Sequence, residues 1–308
     1  MSEPRTVFGV GERDRGKRLD VFMRERIPGL SRARIQRAID ERVTLSWGVR
    51  PRPAVPVRPG GEVRVAFAPL AETVRDVRLP ILARGRGWLA VDKPAGIVVH
   101  PVNAVRENSL IRVLRRQEGA DGLRLVHRLD RETTGVLLVA EDAPTASALS
   151  TAFERRRVKK DYLAVVAGAI AGEEGTIDLP IGEGDRSRVF VRRIVREDGE
   201  RAVTRWSVLR RLPGATLLRL RPETGRRHQL RVHLAAIGHP ILGDILYGRP
   251  DADYLDLVSG RRDARRDEGG PARQLLHCAS LALSDPGGDV EIEVASPLPA
   301  DFEARLGA

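Results

Sequence analysis

Residues 127–135 have the sequence HRLDRETTG and lead directly into VLLVA at residues 136–140. The five apolar residues, bounded by Glu141 and Asp142, predict a short buried strand. The polar residues before them predict a loop held against that strand. Asp130 stands between arginines in this loop, and two roles are open for it: a structural ion pair, or a catalytic carboxylate kept ionised by a guanidinium.

A second dense motif, PETGRRHQLRVH, occupies residues 222–233. After its glycine turn, the spacing of Leu230, Leu234 and Ile237 predicts a helix with these three side chains inward. Arg231 borders that apolar stripe, where its guanidinium can meet a buried carboxylate. Between the two motifs, residues 158–166 have the composition of a strand.

The rest of this region carries weaker patterns. The sequence DKPAG at residues 92–96 predicts a turn, followed by a short strand at residues 97–99. Residues 188–196 and 201–210 alternate as two strands separated by a turn. Residues 249–274 are rich in Arg, Asp and Gly, which predicts a surface insertion.

The two motifs, in this order and with Lys160-Asp161-Tyr162 between them, resemble the signatures of the RluA-type pseudouridine synthases. The resemblance implies an α+β catalytic domain over residues 80–308, with a bent, largely antiparallel mixed sheet, flanking helices and a central cleft. It also implies that Asp130 is the catalytic carboxylate, that Arg231 pairs with it, and that Tyr162 stacks on the target uracil. From the residues alone, Tyr162 could equally be a core aromatic side chain.

Contacts with RNA are expected around these residues. The resemblance suggests that Arg128 helps to splay the RNA or fills the vacated stack, and Arg226 and His228 are further predicted RNA-binding residues. His127 is expected to support the loop. The isomerisation requires no cofactor, and no metal site is expected, because His228 and His233 lie about 140° apart around a helix whereas a zinc pair shares one face.

Residues 16–67 predict a compact basic α+β unit of two helices and short strands. Pro28 and Gly29 should end the first helix, and Ser31 should cap the second. This order resembles the S4 RNA-binding domain, and the alternative is a structural cap with solvated arginines. Residues 68–79 predict a linker. The second helix has exposed sides that should bind RNA through Arg32, Arg34 and Arg37.

The 308-residue chain carries a formal net charge of +11, which favours a polyanionic partner such as nucleic acid. Cys278 is the only cysteine, so an intrachain disulfide is excluded. The first residues lack the apolar region of a secretory signal, and no apolar run approaches the roughly 18 residues of a membrane span. A cytoplasmic monomer that does not bind membranes is expected.

These observations predict an RNA uridine isomerase that converts specific uridines to pseudouridine. Large-subunit ribosomal RNA is the expected substrate, because synthases of this type with an S4 domain commonly modify it. One alternative is a non-catalytic RNA-binding protein in ribosome assembly. Another is a glycoside hydrolase, which would need two carboxylates at the bond, with Glu132 as the nearby candidate for the second.

Overall fold

The chain folds into two compact units, Met1–Thr73 and Val74–Ala308. The computed structural model describes residues 5–27, 32–66, 74, 76–102, 105–184, 189, 191–258, 271–284 and 291–307. The predicted linker of residues 68–79 contains the division between the units, and residues 68–73 and 75 of it lie outside the described residues.

The N-terminal unit contains two helices and a small antiparallel sheet with strand order β1-β3-β2. Its elements are β1 (Arg5–Gly9), α1 (Leu19–Arg26), α2 (Arg32–Arg42), β2 (Val43–Leu45) and β3 (Glu62–Ala66). The apolar faces of the helices and the sheet share one core, formed by Leu19, Phe22, Met23, Ile35, Ile39, Val43, Leu45, Val63 and Val65.

This unit begins earlier than the predicted start at residue 16, because β1 precedes it. β1 is an edge strand, and its Val7 is 49% exposed. Its sequence lacks the alternation of apolar and polar residues that indicates a half-buried strand. The expected helix end at Pro28 and Gly29 and the expected cap at Ser31 lie outside the described residues.

On α2, the side chains of Arg32 and Arg37 are exposed, and that of Arg34 lies outside the described residues. Arg37 reaches Glu41 at 3.4 Å along the helix surface. Exposed side chains at Arg32 and Arg37 agree with the helix orientation that the apolar spacing predicted.

The larger unit contains twelve described strands and five described helices. The strands are β4 (Ile81–Gly85), β5 (Trp88–Lys93), β6 (Arg124–Leu125), β7 (Thr134–Ala140), β8 (Lys159–Ala167), β9 (Glu174–Asp178), β10 (Ile181–Glu183), β11 (Arg193–Val195), β12 (Val203–Leu212), β13 (Ala215–Pro222), β14 (Leu276–Ser284) and β15 (Glu291–Ala295). The helices are α3 (Leu110–Glu118), α4 (Ala143–Glu154), α5 (Gln229–Ala236), α6 (Asp251–Val258) and α7 (Ala300–Gly307).

The main sheet has the strand order β4-β5-β7-β14-β8-β13-β12-β9, with β6 paired to β7 and β15 paired to β14. β7 and β14 run parallel, and the other described pairs of this sheet are antiparallel. β10 and β11 form a separate antiparallel pair. The predicted mixed, mostly antiparallel sheet with helices is therefore confirmed.

Each half of the main sheet has its own core. The first joins β5 and β7 to α3 and α4 through Leu89, Val91, Leu110, Leu114, Val136, Leu138 and Leu149. The second joins β8 and β13 to α5 and α7 through Ala164, Val166, Leu218, Leu220, Leu230, Leu234 and Phe302. All of β7 is buried, as its apolar run predicted.

The parallel strands β7 and β14 approach most closely at Gly135, whose φ is +108°. A Cβ atom at this position would lie 2.1 Å from the carbonyl oxygen of Cys278. A larger residue would both clash with that backbone and adopt a strained conformation. Glycine at this position therefore allows the loop of residues 127–135 to enter β7 beside β14.

Residues 97–99 do not form the predicted strand. The carbonyl groups of Val98 and Val99 instead accept hydrogen bonds from the N–H groups of Leu110 and Ile111, at 2.8 and 3.4 Å. Because these carbonyls bind the start of α3, they are not available to a strand ladder.

Two further segments differ from their predictions. Residues 188–196 and 201–210 contribute β11 and β12, but these strands belong to different sheets. The segment 249–274 is not wholly superficial, since Arg273 and Gln274 are buried and residues 259–270 lie outside the described part. No helix among the described residues is long and apolar enough to cross a bilayer.

Candidate active site

The loop that carries Asp130 is fixed at its start by His127. The Nε2 atom of His127 accepts a hydrogen bond of 2.9 Å from the N–H of Leu138 in β7, and the ring stacks on Phe153 at 4.4 Å. Burial lowers the pKa of His127 to about 3, so the ring is neutral and can accept. This geometry supports the expectation that His127 holds the loop.

The end of the same loop is fixed by Lys93, which is fully buried. Its Nζ donates to the carbonyl groups of Pro94, Arg131 and Thr133 at 2.9, 2.9 and 2.8 Å. Burial lowers the pKa of Lys93 to about 7. The turn at residues 92–96 is thereby tied to the residues that follow Asp130.

Arg231 is brought to Asp130 by α5. Its Nη1 donates to Oδ2 of Asp130 at 2.9 Å. Its Nε and Nη2 donate to the two oxygens of Asp244 at 2.6 and 2.8 Å, and its guanidinium lies 5.0 Å from the ring centre of Tyr247. Burial disfavours the charge of Arg231, but hydrogen bonds and the charge of Asp244 outweigh it, so the pKa of Arg231 is raised.

Asp130 is ionised in this environment. Burial raises its pKa, but the charge of Arg231, the hydrogen bond from its guanidinium and the charge of Arg128 oppose burial, and the pKa lies below its ordinary value. Its side chain keeps 21% exposure. The arrangement therefore presents an anionic carboxylate, capable of acting as a nucleophile or a base, to anything that enters the opening beside it.

Tyr162 lies on β8, opposite Leu220 of β13 and Cys278 of β14. Its side chain lines the same opening as Asp130, so it is not an enclosed core residue. Burial raises the pKa of Tyr162 well above its ordinary value. The ring is a neutral phenol, suited to stacking and to donating a hydrogen bond.

The opening has a volume of about 630 Å³. Its lining brings together the six residues of this unit that the sequence singled out for catalysis or RNA contact: Arg128, Asp130, Tyr162, Arg226, His228 and Arg231. Arg128 is exposed at its edge, whereas Arg226 donates to the carboxylate of Glu200 and to the carbonyl of Arg201. In the N-terminal unit, Arg32 lines a separate pocket beside Arg18 and Arg24.

His228 precedes α5 in a left-handed conformation, with φ of 58°. Its Nδ1 lies 2.8 Å from the hydroxyl oxygen of Tyr247, which accepts from the N–H of Arg193 at 3.0 Å. The hydroxyl group of Tyr247 can therefore donate its proton to Nδ1 of His228. The single ring proton of the neutral imidazole then lies on Nε2, which is 3.9 Å from Asp130. Burial lowers the pKa of His228 to about 4.

Three contributors to this geometry were not given a role from the sequence: Lys93, Asp244 and Tyr247. Lys93 is the one with a local signal, since it belongs to the turn sequence DKPAG that follows the apolar run of β5. The contact between Arg231 and Asp244 leaves no such signal, because it spans a turn whose path cannot be read from spacing.

The histidines do not form a metal site in the described part of the chain. Both ring nitrogens of His233 are engaged, by Thr204 Oγ1 and by the carbonyl of Leu179, each at 2.9 Å. Among the described residues, no group of three or more His, Cys, Asp or Glu side chains is placed to hold a metal ion.

The chain is similar to known proteins over nearly its whole length. Residues 87–236 match the family model described as RNA pseudouridylate synthase. The chain is 35% identical to Ribosomal large subunit pseudouridine synthase D of Xanthomonas campestris, over 95% of this chain and 89% of that protein. It is 34% identical to the protein of the same name from Escherichia coli K12, over 95% and 90% of the two chains.

A solved structure agrees with these similarities. Human RNA Pseudouridylate Synthase Domain Containing 1 is 30% identical and superposes with a TM-score of 0.59, over 73% of this chain and 87% of that one. The matched family region contains both sequence motifs and the strand of Tyr162. The chain therefore belongs to the RNA pseudouridylate synthases, in the RluA family, and is an enzyme that isomerises uridine in RNA.

Proposed function

We propose that this enzyme converts specific uridines of large-subunit ribosomal RNA to pseudouridine, with Asp130 as its catalytic carboxylate. The observation that carries the proposal is the ionised Asp130, paired with Arg231 and facing the same opening as Tyr162. The choice of RNA is supported by the names of the two bacterial relatives and by the net charge of +11. Such a substrate would place the enzyme in the cytoplasm.

The reaction requires the N1–C1′ bond of uridine to break, the base to turn over, and C5 to bond to C1′. The C5 proton is lost and N1 gains a proton, so the product is an isomer of the substrate. Asp130 acts on the nucleoside, at the sugar or at the pyrimidine ring. Arg231 keeps the carboxylate ionised in a partly buried site, where an isolated carboxylate would take up a proton.

Tyr162 provides the surface on which the uracil stacks. The uridine must leave its own stack to enter the opening, and an aromatic ring replaces part of the stacking energy that is lost. Removal of the C5 proton by Tyr162 would need its phenolate, which burial disfavours. We therefore assign stacking to the ring and treat participation of the hydroxyl as a separate question.

RNA contacts are assigned to both units. Arg128 at the edge of the opening fills the stack vacated by the uridine, and Arg226 and His228 border the same opening. The N-terminal unit, with its two helices and three strands, is proposed to be an S4-like RNA-binding domain acting through Arg32, Arg34 and Arg37. Because Glu132 does not line the opening, the glycoside hydrolase alternative lacks its candidate second carboxylate.

The experiment is to map pseudouridines in ribosomal and transfer RNA from cells with the gene, without it, and with only the Asp130→Asn variant. The proposal expects at least one large-subunit position to lose its pseudouridine in both mutant strains. Loss confined to transfer RNA would reject the substrate, and restoration by Asp130→Asn would reject the catalytic residue. Purified enzyme yielding free uracil would reject isomerisation.

A further inference from the structure

Tyr247 is a buried tyrosine that lies behind the opening and does not line it. Its residue is 4% exposed. Its hydroxyl oxygen accepts the N–H of Arg193 at 3.0 Å and lies 2.8 Å from Nδ1 of His228. In the described part of the chain this hydroxyl group has no other acceptor within hydrogen-bond distance, so its proton is directed to Nδ1.

This hydrogen bond decides which edge of the His228 ring faces the opening. Because burial lowers the pKa of His228 to about 4, the ring is neutral and carries one proton. Nδ1 accepts from Tyr247, so that proton is on Nε2. The side chain of His228 is 11% exposed and lines the opening. Its Nε2–H is therefore an oriented hydrogen-bond donor.

The two carboxylate oxygens of Asp130 differ in their partners. Oδ2 accepts from Nη1 of Arg231 at 2.9 Å, whereas no group in the described residues donates a hydrogen bond to Oδ1. Nε2 of His228 lies 3.9 Å from Oδ1, which is too far for a hydrogen bond between them. An acceptor and a donor thus stand side by side, with space for one atom that bonds to both.

A hydroxyl group fits this pair, because its oxygen can donate one hydrogen bond and accept another. Two hydrogen bonds of about 2.8 Å from a single oxygen can span the 3.9 Å between Oδ1 and Nε2. A carbonyl oxygen only accepts and would leave Oδ1 without a donor. In uridine, the 2′-hydroxyl is on the carbon next to C1′, where the glycosidic bond breaks, whereas the N3–H of uracil lies across the ring from that bond.

We propose that the 2′-hydroxyl of the target uridine binds between Oδ1 of Asp130 and the Nε2–H of His228, and that Tyr247 is a positioning residue that orients His228. This inference rests on the proposed function, since it takes Asp130 as the carboxylate beside the target nucleoside. The contact holds C1′ next to the carboxylate while the base turns over. It also makes the enzyme prefer ribose to deoxyribose at the target position.

The test compares two RNA hairpins that differ by one hydroxyl group. They carry pseudouridine or 2′-deoxypseudouridine at the mapped position, and neither reacts further, so a fluorescence titration gives an equilibrium Kd. The wild type should bind the ribose hairpin more tightly. The ratio of the two Kd values should be about fivefold smaller in His228→Met, the effect of one hydrogen bond. Equal Kd values in the wild type, or equal ratios in the two enzymes, would reject the contact.

Two further variants separate the N–H of His228 from the packing of its ring. His228→Gln keeps an N–H of similar reach and should retain more of the Kd ratio than His228→Met. Tyr247→Phe keeps the ring and should weaken binding of the ribose hairpin alone, because only that hairpin uses the oriented N–H. A Gln variant no better than Met, or equal weakening of both hairpins by Tyr247→Phe, would assign these residues to structure and reject the proposal.

The matched control is His239→Met. Nδ1 of His239 lies 2.9 Å from the carbonyl oxygen of Ala167, and the residue does not line the opening, so its Kd ratio should equal that of the wild type. An equal decrease in this control would reject the assignment to His228. Nitrogen-15 NMR of the free enzyme, assigned with His228→Gln, should show His228 protonated at Nε2. Protonation at Nδ1 would overturn the proposal.

The proposed function and this inference fail separately. Turnover that survives in Asp130→Asn would reject the catalytic carboxylate, whereas the Kd ratio is measured without turnover. An enzyme that loses isomerisation in Asp130→Asn, but whose wild type binds both hairpins equally, would retain the proposed function and reject the 2′-hydroxyl contact alone.

Discussion

Arg231 is held mainly by Asp244, through hydrogen bonds of 2.6 and 2.8 Å, and offers Nη1 to Asp130 at 2.9 Å. Asp244 is completely buried, and it also accepts the N–H groups of Leu246 and Tyr247 at 2.8 and 3.1 Å. The guanidinium is therefore oriented by a partner away from the RNA. The positive charge beside Asp130 is therefore in position before a substrate binds.

Replacing Asp244 with Asn should reduce both stability and activity. The change keeps the side-chain shape but leaves Arg231 with a single anionic partner, and breaking a buried ion pair costs about 3 kcal/mol of the free energy of unfolding. Urea unfolding measures this change. Glu173→Gln is the control, because it removes an exposed partner of Arg211 and should cost about 1 kcal/mol or less. Equal losses for the two variants would contradict the buried role of Asp244.

Replacing Asp130 with Asn should remove all isomerisation. RNA affinity should stay within about tenfold of wild type, because phosphate contacts dominate binding. Asp161→Asn is the control, since that carboxylate binds Arg221 at 2.7 Å and does not line the opening. Tritium release from C5-labelled RNA measures turnover, and residual activity above a few per cent would exclude Asp130 as the catalytic carboxylate.

Replacing Arg231 with Met should abolish activity and raise the pKa of Asp130. Burial remains in the variant while the largest opposing cause is removed, so the pKa should rise above the ordinary value of about 3.9. A carbon-13 NMR titration of the carboxyl groups, assigned with Asp130→Asn, gives the value. A pKa that stayed below the ordinary value would show that other charges keep Asp130 ionised.

The same variant should change how stability depends on pH. In the wild type, the lowered pKa of Asp130 stabilises the folded state at pH values above the ordinary aspartate pKa. This stabilisation is lost as the pH falls through the pKa that Asp130 has in the folded protein. With a raised pKa the sign is reversed, so the stability gap between wild type and Arg231→Met should narrow as pH falls toward that range. A gap independent of pH would mean that Asp130 titrates alike in both proteins.

Substitutions at Tyr162 should separate stacking from proton transfer. Tyr162→Leu loses the aromatic surface, and kcat/KM should fall roughly tenfold or more, since stacking contributes about 1–3 kcal/mol per base. Tyr162→Phe retains the ring and should keep most of the activity if the hydroxyl takes no part. Full activity in Tyr162→Leu would contradict the position assigned to this strand, and an inactive Tyr162→Phe would assign chemistry to the hydroxyl.

A chain that begins at residue 71 should still isomerise uridine. The three proposed catalytic residues belong to the unit Val74–Ala308, whereas Arg32, Arg34 and Arg37 belong to the other. The shorter chain should bind structured RNA more weakly, with a salt slope shallower by about 0.7 or more for each lost phosphate contact. Activity and affinity at several salt concentrations measure this. Equal affinity and slope would identify the N-terminal unit as a structural cap.

The sequence predicts local structure most accurately where several neighbouring residues indicate the same element. β7 is buried because a run of apolar residues leaves it no polar face. The motif around Arg231 predicts α5 from its apolar spacing. These are local properties, and the structure reproduces them.

The parts that the sequence does not predict depend on distant contacts. β1 becomes a strand because β3 pairs with it, and residues 97–99 fail to become one because their carbonyls meet α3. Lys93 binds carbonyls some 40 residues away along the chain. Local periodicity does not reveal any of these partners. The contacts that support the Asp130 loop are therefore evident only from the three-dimensional structure.

The position of β14 has a consequence for when the enzyme can work. β14 lies between β7 and β8, so the strand that follows the loop of Asp130 and the strand that carries Tyr162 are joined through β14. A ribosome synthesising this protein has made every residue of both motifs well before it reaches Leu276. Because folding during synthesis proceeds from the N-terminus, we expect a growing chain to lack an assembled cleft until the residues of β14 have emerged from the ribosome.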